Sequence, residues 1–165
     1  MIIPGSKNTI SDLLWMRQNG LEGKILRHAA KGGIVFGICG GYQMLGQSIS
    51  DPTGAEQKGT VRGMGLLPVT TVFEQEKRRT RVSGRVAKVG GALAEMSGVC
   101  YEGYEIHMGR TVLSKGTVPL VYMEEEGEQR QDGAQSDHVY GCYMHGIFDM
   151  SETVKTFLAA VLRKN

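Results

Sequence analysis

Ile34-Val35-Phe36-Gly37-Ile38-Cys39-Gly40-Gly41-Tyr42-Gln43-Met44-Leu45-Gly46 is the stretch whose reading decides the fold. Ile34 to Ile38 is a continuous apolar run, the pattern of a strand covered on both faces, as in a parallel sheet flanked by helices. Gly40-Gly41 then turns the chain into a short helix expected over residues 42–47. A cysteine set between glycines at a strand-to-helix turn has the layout of a nucleophile elbow, with sulfur where other hydrolases place a hydroxyl. The glycines answer a steric demand, because the central residue takes strained backbone angles and neighbouring Cβ atoms would collide as the strand turns. Such a turn sets the sulfur at the carboxyl end of the sheet, where open α/β folds bind ligands. It also sets it at a helix N-terminus, whose partial positive charge is expected to favour thiolate over thiol. The Gly40 amide would face a carbonyl oxygen under attack, one half of an oxyanion hole. The plainer reading of the same pattern is a buried, inert cysteine at a tight turn.

Working outward, Met1-Ile2-Ile3 reads as the end of a buried strand, broken by Pro4-Gly5. Thr9 or Ser11 can cap a helix running to Asn19-Gly20, with Trp15 packing it onto the sheet. A second helix spans about Leu21 to Ala30, with Ile25, Leu26 and Ala29 inward. Beyond a turn at Asp51-Pro52-Thr53-Gly54 the strands alternate: Leu66 to Phe73, Arg81 to Val89, Glu102 to Met108, Val118 to Met123 and Val139 to Met144. Glu124 to Asp137 reads as a solvated hairpin loop, and Lys77-Arg78-Arg79-Thr80-Arg81 as a solvated strand edge. Ser151 caps a last helix with Val154, Phe157, Leu158 and Val161 inside. The order predicts one α/β domain over residues 1–165. Its expected form is an open, flavodoxin-like, mostly parallel sheet with helices on both faces and antiparallel strands in the second half. It also predicts a chain truncated at its N-terminus, because a strand–helix unit should precede Met1.

Composition narrows the function classes. The 165 residues are 41% hydrophobic and 22% charged, enough apolar material for a core. Nineteen basic against seventeen acidic residues leave a net charge of +2, which points to neither nucleic acid nor an anionic membrane. No apolar run approaches a bilayer span and no signal peptide opens the chain, so the expected compartment is the cytoplasm. Cys39, Cys100 and Cys142 are too far apart for a CxxC metal site and odd in number, so neither a metal nor a disulfide framework is expected. Cys100 and Cys142 alternate with apolar residues and read as core.

A thiol nucleophile needs a base, and four histidines are available. His28 lies mid-helix among charges and reads as exposed; His138 has no evident reason to approach the elbow. His145, in Tyr143-Met144-His145-Gly146-Ile147-Phe148-Asp149, stands at a strand end and is the first choice. His107, in Tyr104-Glu105-Ile106-His107-Met108-Gly109-Arg110, is the second. A core histidine satisfied by backbone is the plain alternative for each.

These segments, with Pro4-Gly5-Ser6-Lys7-Asn8-Thr9, occur in an order that closely resembles the class I, triad-type glutamine amidotransferases of the cobyrinate/cobyric acid branch. The elbow is common to the whole class. The Pro-Gly-Ser-Lys-Asn-Thr and Tyr-Glu-Ile-His-Met-Gly segments point to the amidotransferase domain of the cobyric acid synthases. The resemblance implies that Cys39 is a nucleophile forming a glutamyl thioester and that His145 is the general base. It implies oxyanion N–H groups from Gly40 and the turn at Gly5, and a contact of Gln43 with bound glutamine. It further implies that ammonia passes to a separate synthetase domain or subunit, absent here, where ATP and magnesium activate corrin carboxylates for amide formation in cobalamin biosynthesis. No cofactor is implied for this chain itself, and no G-x-x-x-x-G-K-[ST] phosphate loop occurs in it.

One position departs from the family pattern. The glutamate expected two residues after the histidine is Ile147. Asp149, Glu105 or a backbone carbonyl could orient His145 instead, and slow hydrolysis of glutamine in isolation is expected. Two other readings stay open: a stand-alone cysteine hydrolase of the same fold, and a non-catalytic module that binds or regulates a synthetase.

Overall fold

In a computed structural model the described residues are 1–125 and 127–163, the side chains of Glu76 and Lys77 excepted. The first half runs β1 (Ile2–Ile3), α1 (Thr9–Gln18), α2 (Leu21–Ala30), β2 (Val35–Ile38), α3 (Gly40–Leu45), β3 (Ser48–Asp51) and β4 (Gly59–Arg62). The second half is β5 (Val69–Val86), a 3-10 turn at Gly91–Met96, β6 (Cys100–Leu113), β7 (Val121–Glu125), β8 (Glu128–Asp132), β9 (Ala134–Ser136), β10 (Val139–Cys142) and α4 (Ser151–Arg163).

The apolar run does become the centre of a parallel sheet. β2 pairs in parallel with β1 on one side and β10 on the other, and β9 closes the sheet antiparallel, in the order β1-β2-β10-β9. Val35 and Val139 pack with α1 and α2 on one face, whereas Phe36, Tyr140 and Cys142 pack with α4 on the other. Helices therefore cover both faces, which is why this strand carries no polar side. The second sheet is larger and, apart from the parallel pair β3/β5, antiparallel; its long members β5 and β6 pair from Val69↔Leu113 to Arg85↔Cys100 with an irregularity between Phe73 and Arg78.

α3 sits where the two sheets meet, and all its residues are buried. A buried helix end needs partners for its last carbonyls. Here Met64 N–H donates to Met44 O and Leu66 N–H to Leu45 O, at 2.8 and 2.9 Å. The short elbow helix is thus fastened at its C-terminus by the loop leading into β5. At the other end it leans on β1: a Cβ on Gly41 would be driven onto the Ile3 carbonyl oxygen.

Several local expectations are overturned. Neither Thr9 nor Ser11 caps α1; Asn8 holds the cap position without a side-chain bond, and Ser6 takes the Asn8 amide instead. Trp15 is exposed rather than packed, because α1 buries Thr9, Ile10 and Leu13. α4 turns Thr153, Phe157 and Ala160 inward, which leaves Leu158 exposed. Cys100 is exposed at the start of β6, while Cys142 is core. His28 is half-buried against the Ile34 carbonyl. The described residues of 124–137 are not a solvated loop: they belong to the paired strands β7 and β8 and to β9, and include a buried Asp132. In the basic run, Arg78 pairs with Glu105 and Glu125, whereas the Lys77 side chain lies outside the described residues. No described helix is long and apolar enough to cross a membrane.

The contact between the elbow and β1 is testable. Gly41→Ala must push α3 off the Ile3 carbonyl, an overpacking expected to cost about 1–3 kcal/mol. A urea unfolding midpoint equal to that of the parent chain would show that the contact is not tight.

Candidate functional site

Cys39 has φ +51° and ψ −110°, a conformation that side-chain-bearing residues rarely adopt. Backbone bonds hold it there: its N–H donates to Cys142 O at 2.9 Å, and its own carbonyl accepts the Gln43 N–H at 3.0 Å. A residue kept at strained angles by bonds on both sides marks a site where position outweighs local stability.

The thiol lies against a cavity of about 470 Å³ lined by Gly5, Ser6, Lys7, Thr9, Cys39, Gln43, Glu56, Phe73, Tyr104, Ile106, His107, Met108 and His145. The segments read as motifs therefore converge. A Cβ on Gly5 would stand 3.0 Å from His145 Cε1 and 3.5 Å from Cys39 Cβ. One on Gly40 would stand 2.8 Å from the Ser6 amide nitrogen, so the two backbone turns expected to supply N–H donors face each other.

His145 is placed by its neighbours rather than by a carboxylate. Its backbone pairs with Tyr104 in both directions, at 2.8 and 3.1 Å, and its ring stacks on the Tyr104 ring at 5.2 Å and 5°. Burial lowers its pKa, His107 lowers it further, and the Ile106 carbonyl works the other way. Nε2 is buried with no hydrogen-bond partner. Ile147 is buried in the core, and Asp149 is an exposed residue curled against Gly146. Glu105, fully buried, turns elsewhere: Arg78 and Arg130 donate to its Oε2 at 3.0 and 2.6 Å, and its Oε1 lies 3.9 Å from His107 Nε2.

His107 forms part of the cavity wall, bonded at Nδ1 and stacked through its ring. Its Nδ1 must carry a proton, because it bonds the Gly109 carbonyl at 2.8 Å and a carbonyl only accepts. Its ring stacks on Tyr143 at 3.7 Å, and the Tyr143 hydroxyl accepts from Gln43 Nε2 at 3.1 Å and meets Thr111 Oγ1. Gln43 is thereby held in one orientation on the cavity floor.

The expected lowering of the thiol pKa does not occur. Burial pushes Cys39 up to about 11; the Gly40 amide opposes this, while the charges of Asp132, Glu105 and Glu56 add to it. A helix as short as α3 offers too little dipole to outweigh lost hydration. The thiol instead donates to the Ile106 carbonyl at 3.4 Å.

Sequence reasoning missed Glu56, Phe73, Tyr104, Asp132 and Tyr143. Asp132 has the clearest electrostatic signature. Burial pushes its pKa up to about 6, Glu105 adds to the rise, and the amides of Tyr143 and Gly133 oppose it. Its carboxyl binds a proton more tightly folded than unfolded, so its contribution is present below about pH 4 and lost as pH rises through about 6. Asp132→Asn keeps an acceptor for the Tyr143 N–H and is expected to abolish that loss of stability in urea titrations between pH 4 and 6. An unchanged pH profile would mean Asp132 ionises freely in the fold.

Residues 1–153 match the model of the CobB/CobQ-like glutamine amidotransferase domain family. The chain is 52% identical to a cobyric acid synthase of Ruminiclostridium cellulolyticum over 99% of its own length and 33% of the relative's. It is 41% identical to one of Lachnoclostridium phytofermentans, over 99% and 34%. It thus spans about a third of the length of the curated relatives it matches. Among solved structures, a glutamine amidotransferase superposes with a TM-score of 0.62 at 16% identity, covering 97% of this chain and 77% of that one. PurLQS from Thermotoga maritima gives 0.60 at 18%, covering 87% and 68%, and both likenesses concern the fold. With a strained cysteine, a histidine and two glycine turns converging on one cavity, and a family model matched over most of its length, the chain belongs to the CobB/CobQ-like glutamine amidotransferase domain family.

Proposed function

We propose that this chain hydrolyses glutamine at Cys39 and delivers the ammonia to an ATP-dependent synthetase that amidates corrin carboxylates, as in the cobyric acid synthases. The observation that carries the reading is Cys39 held at φ +51° on a cavity it shares with His145 and Gly5, with the Gly40 turn facing the Ser6 amide.

In this scheme Sγ attacks the side-chain amide carbon while His145 Nε2 takes the thiol proton. The amide oxygen, now negative, is met by N–H groups of Gly40 and of the 5–6 turn, each worth about 10²–10³ in rate. As the tetrahedral adduct collapses, the C–N bond breaks, His145 returns the proton to the leaving nitrogen, and neutral ammonia departs. A water, deprotonated by the same imidazole, then cleaves the thioester to glutamate. Tyr104 and the Ile106 carbonyl take over the orienting task that a carboxylate two residues beyond the histidine performs in the family pattern. ATP and magnesium act on the synthetase, and this chain supplies only the nitrogen.

The raised thiol pKa and lowered imidazole pKa leave both groups neutral at rest, so turnover without the synthetase is expected to be slow. A stand-alone hydrolase of the same fold would have no need of the oriented Gln43. A purely regulatory module would have no need of strain at Cys39.

The test is glutamate release from glutamine, with the cysteine-directed glutamine analogue 6-diazo-5-oxo-L-norleucine as probe. The parent chain is expected to form one adduct, on Cys39. Cys39→Ser is expected to abolish both adduct and glutamate, and His145→Ala to slow glutamate release by about 10²–10⁴. Glutamate release surviving Cys39→Ser would refute the assignment of the nucleophile.

A further inference from the structure

Glu56 enters the cavity from a loop that no motif singles out. The loop is built on Asp51, which is fully buried at the end of β3. Its Oδ1 accepts the amides of Gly54 and Ala55 at 2.8 and 2.9 Å, and its Oδ2 those of Glu56 and Gln57 at 2.7 and 2.8 Å. Four charge-assisted bonds give an otherwise exposed loop a fixed shape. That shape carries the Glu56 side chain to the first turn of α1, where Oε2 accepts the Ile10 N–H at 3.1 Å. A carboxylate has about four lone-pair sites, so one backbone donor leaves most of its accepting capacity free.

The charges around the cavity are sparse and paired in sign. Among the described lining residues Glu56 is the sole carboxylate and Lys7 the sole lysine or arginine. Such a cavity fits a ligand that carries one ammonium and one carboxylate, which distinguishes a free α-amino acid from a simple amide or a glutaminyl residue inside a peptide. Glu56 is close enough to Cys39 for its charge to act on the thiol.

We infer that Glu56, caged by the Asp51 loop and half-buried on the Cys39 cavity, anchors the α-ammonium group of the free amino-acid substrate and so sets specificity for it over other amides. The inference rests on the glutamine reading of the site. Its particular content is that an anion–cation contact with Glu56 selects the substrate.

The experiment compares two alkylating probes on the same chain. 6-Diazo-5-oxo-L-norleucine carries the α-ammonium; 6-diazo-5-oxohexanoate is identical without it. In each case the diazo carbon takes up a proton, a bond forms from Sγ to that carbon, and dinitrogen leaves. The parent chain is expected to react with the ammonium-bearing probe about tenfold faster or more, the discrimination a charged hydrogen bond supplies. Glu56→Gln keeps an acceptor for the Ile10 amide but removes the charge, and is expected to erase most of that preference, read as the ratio of the two rates, so that a general change in thiol reactivity cancels. Glu56→Gln retaining the preference would overturn the inference. Equal slowing with both probes would do so too, since it would mark a merely structural residue. A parent chain that reacts equally with both leaves Cys39 as a nucleophile but removes the role of Glu56. A folded parent chain in which neither probe reaches Cys39 would end the glutamine reading, and the Glu56 anchor with it.

Discussion

The carbonyl oxygen of Ile3 decides where Cys39 can stand. α3 approaches β1 so closely that no side chain fits at Gly41, and the same approach brings Gly40 against the Ser6 amide. Cys39 is then caught between two fixtures: its N–H on the parallel neighbour β10, and its carbonyl in the first turn of α3. The backbone angles of the elbow cost on the order of 1–3 kcal/mol, and they persist because these contacts leave no relaxed alternative. The two N–H-bearing turns and the sulfur are placed by this one junction of strand end and helix start.

The antiparallel sheet supplies what the elbow lacks. β6 passes alongside His145, pairing its backbone through Tyr104, and a Cβ on Gly103 would be driven onto the His145 carbonyl. Three residues further, the same strand sends His107 against Tyr143, which in turn orients Gln43. Between them Glu105 points to two arginines, and that ionic cluster ties β5, β6 and β8 together around one fully buried carboxylate. The Glu105 pKa falls to about 2: burial alone would raise it, and the nearby His107 ring and the bond from Arg130 more than compensate. A carboxylate so heavily committed is in no position to serve His145, whose ring stacks on Tyr104 instead.

The legible parts of the molecule were those fixed by short-range chemistry. An unbroken apolar run with glycines on either side of a cysteine has few solutions other than a buried strand turning into a helix, and β2, Cys39 and α3 followed from it directly. The motif holding His145 could be placed at a strand end and that of His107 marked by its glycine and arginine neighbours, although only resemblance tied them to the cysteine. The rest depended on pairing across long separations. β3 and β4 are short and polar on one face, so nothing in residues 48–62 distinguishes strand from turn; their order comes from pairing with each other and from β5. Residues 124–137 look solvated by composition because Arg130 and Asp132 are charged, yet the first is neutralised by Glu105 and the second is buried. The thiol pKa was misjudged for a related reason, since local sequence shows the helix N-terminus but not the burial and the three distant acids that oppose it.

Those acids have a consequence for how the site would work. A thiol held near pKa 11 is protected at rest, because only the thiolate is strongly nucleophilic. Two of the opposing charges, Asp132 and Glu105, are locked into the fold by the Tyr143 amide and by the arginines. Glu56 alone lines the cavity. An ammonium group set against Glu56 cancels its field at the sulfur and expels water from the same space, and both changes alter the balance between thiol and thiolate. The first lowers the thiol pKa; the second raises it by further loss of hydration while strengthening the opposing Gly40 amide. On the proposed reading, therefore, the residue that recognises the substrate also takes part in arming the nucleophile, because its charge weighs on Cys39 only while the cavity is empty.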